Sequence, residues 1–125
     1  MATKVFLVED DEAYAEFIKK SLRTKYQIYS FITAEECMVT LKSISPDVLI
    51  LDYHLPGMSG IELYEKIKDQ LSSDVKVIMM SAIDDGNLVL EFIKKGVRDY
   101  VVKDEKVINA LTSVIEGEGD IYFDD

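Results

Sequence analysis

Cysteine and histidine each occur once in this chain, as Cys37 and His54, which leaves no His/Cys cluster to hold zinc or iron. No apolar run approaches the roughly 20 residues that span a bilayer, and no secretory or transit segment is read. The expectation is a protein of a reducing cytoplasm with no membrane attachment, in which Cys37, at a core-like position of a helical pattern, is a small buried hydrophobe. Positive charge is also scarce. Fourteen Lys and Arg against 24 Asp and Glu give a formal net charge of −10, which argues against direct nucleic-acid binding, since such binding draws its affinity from Lys and Arg on phosphates. An acidic surface favours solubility and basic partners.

At 125 residues, 48% apolar and 30% charged, the chain fits one globular domain, burying roughly two-thirds of its unfolded surface without a disulfide or metal staple. That domain is expected over residues 1–116. Residues 117–125, with Glu118, Asp120, Asp124 and Asp125, resemble an acidic tail or the start of a linker.

Short apolar runs alternate with helical patterns. Lys4 to Val8 reads as a buried strand stopping at Glu9-Asp10-Asp11. Asp11 or a neighbour can cap the helix that follows, whose apolar residues Tyr14, Phe17, Ile18 and Leu22 share one face. Tyr26 to Phe31 is a weaker strand suited to a sheet edge. Thr33, with Glu36 three residues on, makes a capping box for a helix burying Ala34, Cys37, Met38 and Leu41. Val48 to Leu51 is a strand buried on both faces, ending at Asp52, and the Pro56-Gly57 and Ser59-Gly60 steps beyond it read as a loop. A helix over 61–71, a strand over 75–80 ending at Ser81-Ala82, a helix over 86–95 closed by Gly96, a strand over 99–103 and a helix over 105–115 complete the chain. The helix over 86–95 carries Val89, Phe92 and Ile93 on its expected core stripe, with Leu88 and Leu90 about 100° to either side, a wide apolar face that can serve a partner or a dimer.

Five strand–helix alternations with short connections argue for a doubly wound α/β domain with helices on both faces of a parallel sheet. The flavodoxin-like strand order 2-1-3-4-5 places the weak second strand at an edge and the first and third strands side by side. Glu9, Asp10 and Asp52 then meet at the carboxyl edge of the sheet, where Ser81 and Lys103 also arrive. Carboxylates gathered at adjacent strand ends repel and lose solvation unless a cation compensates. Mg²⁺, which takes oxygen ligands and keeps some waters, suits Asp10, Asp52 and nearby backbone carbonyls; Ca²⁺ lacks the ligand-rich loop it prefers. Ser81 and Lys103 add a hydroxyl donor and a point charge suited to phosphoryl oxygens. Together they form a phosphoryl-transfer site with Asp52 as the nucleophile.

From Lys4 to Ile115 the chain resembles the receiver domains of two-component response regulators. The resemblance rests on five features in order: the pair Glu9-Asp10, Asp52 within Leu51-Asp52-Tyr53-His54-Leu55-Pro56-Gly57-Met58-Ser59-Gly60, Ser81-Ala82, Tyr100, and Lys103. It implies that Asp52 accepts a phosphoryl group from a sensor histidine kinase or phosphotransfer protein. It further implies that Asp10, Asp52 and the backbone carbonyl of His54 bind Mg²⁺, with Glu9 acting through a bound water. Ser81 and the Ala82 N–H would hold phosphoryl oxygens, Lys103 would pair with them, and Tyr100 would be the switch that alters the face of the last two helices and last strand, where an effector or a second copy binds. The function implied is signalling, not turnover. His54 and Ile83 would flank the path of hydrolytic water, bulky Ile83 slowing dephosphorylation. One position departs from the family pattern: Asp104 stands where proline usually follows the lysine, and a cis peptide there costs about 2.5–4 kcal/mol. Either Lys103 reaches the site by another backbone path or phosphoryl stabilisation is weakened, and in the second case the domain is a receiver-like interaction module that is no longer phosphorylated. A phosphatase of the haloacid dehalogenase kind also uses an aspartate nucleophile after a strand, but its second Asp is replaced here by His54.

Overall fold

The computed structural model describes residues 2–82 and 86–117. Ile83 and the acidic stretch from residue 118 onward lie outside the described residues. In chain order the elements are β1 (Lys4–Val8), α1 (Glu12–Leu22), β2 (Gln27–Phe31), α2 (Ala34–Leu41), β3 (Val48–Asp52), β4 (His54–Leu55), β5 (Met58–Ser59), α3 (Gly60–Ile67), β6 (Lys76–Ser81), α4 (Gly86–Lys94), β7 (Asp99–Val102) and α5 (Val107–Ile115).

Five strands form one parallel sheet in the order β2-β1-β3-β6-β7. Counted among themselves they follow the expected 2-1-3-4-5, with the polar-interrupted β2 at an edge. Side chains alternate along each strand, and the alternation sorts the core into two layers. Phe6, Val8, Leu49, Leu51, Met79 and Tyr100 face α2, α3 and α4, where Cys37, Leu63, Ile67 and Phe92 meet them. Val5, Leu7, Val48, Ile50, Ile78, Met80 and Val101 face α1 and α5, against Ile18, Leu22, Leu111 and Val114. All of β3 is buried, and each fully buried aliphatic or Phe side chain contributes about 1.5–3 kcal/mol. That surplus is what allows carboxylates to be held at the strand ends.

The caps follow the sequence. Asp11 accepts from the Tyr14 N–H at 3.1 Å, and Thr33 with Glu36 closes the capping box that starts α2. Four details differ from the expectation. The loop after Asp52 contains a small antiparallel hairpin, His54 opposite Ser59 and Leu55 opposite Met58, turned by Pro56-Gly57 with Gly57 at φ +81°, the combination a type II turn demands. The helix expected over 61–71 is α3 followed by a single 3₁₀ turn over Lys68–Gln70. The last helix begins at Val107 instead of 105, because the Asp104 carboxylate accepts from the Lys106 N–H at 2.9 Å and the Asp104 carbonyl from Val107 N–H at 3.1 Å, making a turn there. Phe17 and Ile93, expected in core stripes, are exposed to 47% and 37%. Ala15 takes Phe17's place under α1. On α4 it is Phe92, flanked by half-buried Leu88 and Val89, that faces the sheet.

Candidate functional site

Strand parity gathers the site. Val5 and Leu7 of β1, Val48 and Ile50 of β3 and Val101 of β7 all face the α1/α5 layer. Two residues further along each strand come Glu9, Asp52 and Lys103, which the pleat directs to that same side. The ladder continues far enough to hold them: Glu9 N–H donates to the Phe31 carbonyl at 3.0 Å and Lys103 N–H to the Ser81 carbonyl at 2.8 Å. The Lys103 ammonium lies 2.6 Å from Glu9 Oε1 and 3.0 Å from Asp52 Oδ2. It gets there with Asp104 next in sequence, and no cis peptide bond occurs among the described residues. With Asp104 in place of proline, Lys103 thus comes within ion-pair distance of Asp52 by a backbone path with no cis bond.

Glu9 and Asp52 are 1% and 4% exposed, whereas Asp10 is exposed beside them. One carboxylate oxygen from each of the three lies within 4.8 Å of the others. Glu9 Oε2 accepts from the Asp11 N–H at 3.1 Å, and Asp52 Oδ1 accepts a long bond, 3.4 Å, from the His54 N–H. The Glu9 carboxyl is raised from 4.5 to about 7, chiefly by burial, with the Lys103 contact opposing the rise and Asp52 adding to it. Burial acts to lower the Lys103 pKa, but the bonds to Glu9 and Asp52 outweigh it and hold the pKa above the ordinary lysine value. Two buried carboxylates therefore share one ammonium, with the exposed Asp10 carboxylate clustered beside them, and Glu9 holds a proton more readily than an ordinary glutamate. Hard oxygen donors, two of them buried, with an excess of negative charge, are the donor set that Mg²⁺ takes.

Ser81, fully buried, ends β6 opposite Val102, and the exposed Ala82 follows it at the same sheet edge. Tyr100 is on the opposite side of the sheet from Lys103, 2% exposed, its ring 5.3 Å from Phe92, which is 5.5 Å from Tyr53. Its side chain is part of the core layer on the α2, α3 and α4 side. His54 is exposed at the start of the hairpin, its ring against Tyr53 at 4.8 Å.

Two site features were not read from the sequence. Gly60 opens α3 directly behind Asp52: a Cβ there would stand 2.3 Å from the Asp52 carbonyl oxygen, while the Gly60 N–H donates to the Tyr53 carbonyl at 2.7 Å. Only glycine lets the helix start that close to the acceptor. The Ser59/Glu62 capping box that fixes this start was legible as S-x-x-E. The second is Tyr14, expected on a core stripe, whose ring lies under the Lys103 ammonium at 4.8 Å.

Residues 5–116 match the family model for the response regulator receiver domain. The chain belongs to that family. Among curated relatives, this receiver domain is 31% identical over 117 residues to the chemotaxis protein CheY of Thermotoga maritima, an alignment covering 89% of this chain and 97% of that one. It is 31% identical to the phosphate regulon transcriptional regulatory protein PhoB of Rhizobium meliloti over 82% of this chain but only 46% of that protein, so the chain spans less than half of that longer regulator. Among solved structures, the BeF3-activated DrrB receiver domain superposes with a TM-score of 0.79 at 26% identity, covering 93% of this receiver domain and 99% of that chain. CheY4 of Vibrio cholerae, 18% identical with a TM-score of 0.82 over 93% of this chain and 98% of that one, shares the fold.

Proposed function

We propose that this receiver domain is a phosphoaccepting switch in which Asp52 takes a phosphoryl group from the phosphohistidine of a sensor kinase or phosphotransfer protein. The observation that carries the reading is the placement of Asp52: 4% exposed at a strand end, 3.0 Å from the Lys103 ammonium and clustered with Glu9 and Asp10. In the transfer an Asp52 carboxylate oxygen attacks phosphorus, the bond from phosphorus to the donor imidazole nitrogen breaks, and the imidazole leaves with its electron pair. Glu9, Asp10 and Asp52 are the groups that would hold Mg²⁺, with the His54 backbone carbonyl, and the ion supplies charge neutralisation for the incoming phosphoryl oxygens. Lys103, already beside Asp52 Oδ2, pairs with a phosphoryl oxygen; Ser81 and the Ala82 N–H supply donors to the others.

The output is a population shift and not a turnover reaction. Ser81 lies in register with Val102, and Met79 with Tyr100, so a movement of Ser81 toward the phosphoryl group reaches Tyr100 and Phe92 through the β6–β7 pair. The face formed by α4, β7 and α5 is the surface proposed to change for an effector or a second copy, in the cytoplasm and without direct nucleic-acid contact. Asp104 in place of proline was the support for a phosphorylation-independent module, and the reach of Lys103 to Asp52 weakens it. Acetyl phosphate with Mg²⁺ tests the reading: one phosphoryl group on the wild type and none on Asp52→Asn supports it, and no label on the wild type with donor or kinase sends the reading to the interaction module.

A further inference from the structure

We propose that Tyr14 is the positioning residue for Lys103: its ring forms the floor on which the ammonium rests, and it aims the lysine at Asp52 where this chain has no proline to do so. The inference rests on the phosphoaccepting role of Asp52. Lysine carries its charge on a flexible four-carbon stem, and here the backbone after it runs on into Asp104 with no ring to restrict it. Three groups define where the ammonium sits: Glu9 Oε1 at 2.6 Å, Asp52 Oδ2 at 3.0 Å and the Tyr14 ring centroid at 4.8 Å. The first two are ionic and belong to the proposed cation site, so a bound dication weakens their hold on Lys103 at the stage when the lysine must meet a phosphoryl oxygen. The ring contact, an attraction between a cation and the quadrupole of the ring face, is unaffected by that competition.

The surroundings of Tyr14 fit such a role better than a packing role. It stands two residues into α1, half-buried, and its hydroxyl is buried with no hydrogen-bond partner among the described residues. A residue present only to fill the α1/α5 layer would gain from losing that oxygen. Phe17, left exposed on the next turn, packs its ring against Tyr14 at 5.9 Å, so an otherwise unexplained surface aromatic buttresses the floor. Burial raises the Tyr14 pKa, the Lys103 charge opposes the rise and the nearby carboxylates add to it, so the ring stays a neutral phenol.

Tyr14→Phe and Tyr14→Leu separate the ring from the hydroxyl, and each is made in wild type and in Lys103→Ala. In wild type and Tyr14→Phe the ε-methylene protons of Lys103 should show an upfield ring-current shift in proton–carbon spectra, with and without Mg²⁺; Tyr14→Leu should lose it. Phosphorylation by acetyl phosphate at saturating Mg²⁺ should stay within about twofold in Tyr14→Phe and fall about 3- to 30-fold in Tyr14→Leu, the size of a partly desolvated cation–π contact. Mg²⁺ affinity should not change, and Tyr14→Leu should have no further effect in Lys103→Ala. A Lys103 shift unchanged in Tyr14→Leu, or the same loss of rate in the Lys103→Ala background, overturns the proposal. A wild type that takes no label overturns the phosphoacceptor reading instead, and the ring–lysine contact is then decided by the shift alone.

Discussion

Replacing Lys103 with methionine removes one ammonium and leaves two carboxylates, 1% and 4% exposed, facing each other with no cation. Breaking a buried ion pair by deleting one partner costs about 3–5 kcal/mol, because the remaining charge stays desolvated. Two features place this case at the lower end, about 3 kcal/mol in metal-free protein at pH 8: the lysine side chain is itself 16% exposed, and Glu9 already holds a proton more readily than an ordinary glutamate. The deficit should respond to anything that restores positive charge. A ligand that binds only the folded state at 100 times its dissociation constant adds about 2.7 kcal/mol, and Mg²⁺ should bind the variant more tightly than wild type, since lysine and metal compete for the same oxygens. Urea unfolding with chelator and in excess Mg²⁺, at pH 8 and pH 6, is the assay. The expected pattern is a large deficit with chelator at pH 8 that shrinks on adding Mg²⁺ and on lowering pH. A Lys103→Met protein as stable as wild type with chelator at pH 8, or a deficit indifferent to both metal and pH, refutes the charge-sharing account.

Folding raises the Glu9 pKa from 4.5 to about 7, so its protonated form stabilises the metal-free fold fully below about 4.5, and that contribution is lost as pH rises through about 7; a Glu9→Gln difference curve measures it, and a difference flat between pH 4.5 and 8 contradicts it. Since Glu9 loses its proton over the same range, Mg²⁺ affinity from calorimetry should rise between pH 6 and pH 8 in wild type and rise less in Glu9→Gln. Gly60→Ala puts a methyl 2.3 Å from the Asp52 carbonyl oxygen; with backbone as the obstacle, the cost should reach or exceed the roughly 1–3 kcal/mol typical of overpacking, and a melting temperature equal to wild type would show that α3 can shift. Cys37, fully buried and pushed up to about 12, should react with thiol reagents only after denaturant is added; rapid labelling of the native protein would mean the α2 layer opens.

The sheet was legible because its inner strands carry nearly continuous apolar runs and its weak strand is interrupted by polar residues, so type, order and edge followed from pattern. That Glu9, Asp10, Asp52, Ser81 and Lys103 gather at one sheet edge was legible for a related reason: polar and charged residues stood where each run stopped. Which side of the sheet each would face was not, because a strand buried on both faces has no alternation to betray it; only the two helix layers, sorting Val5, Leu7, Val48 and Ile50 from Phe6, Val8, Leu49 and Leu51, assign the parity that brings Glu9, Asp52 and Lys103 together. Periodicity misled on α1, because its apolar residues fit two overlapping stripes about 100° apart. Tyr14, Phe17, Ile18 and Leu22 fit one stripe, but the helix turns Ala15, Ile18 and Leu22 inward and leaves the two aromatics at its edge, Tyr14 beside Lys103 and Phe17 against Tyr14. The hairpin after β3 is too short for strand periodicity to register, although Pro56-Gly57 signalled its turn.

Phosphoryl acceptance by Asp52 is the step on which the proposed switch depends. Intact mass after incubation with acetyl phosphate and Mg²⁺ tests it most directly, with Asp52→Asn and chelator as the two controls. A gain of one phosphoryl group is expected in the wild type and in neither control. A gain that persists in Asp52→Asn, or a wild type that stays unmodified with small donors and with phosphorylated kinase while still binding Mg²⁺, would contradict it.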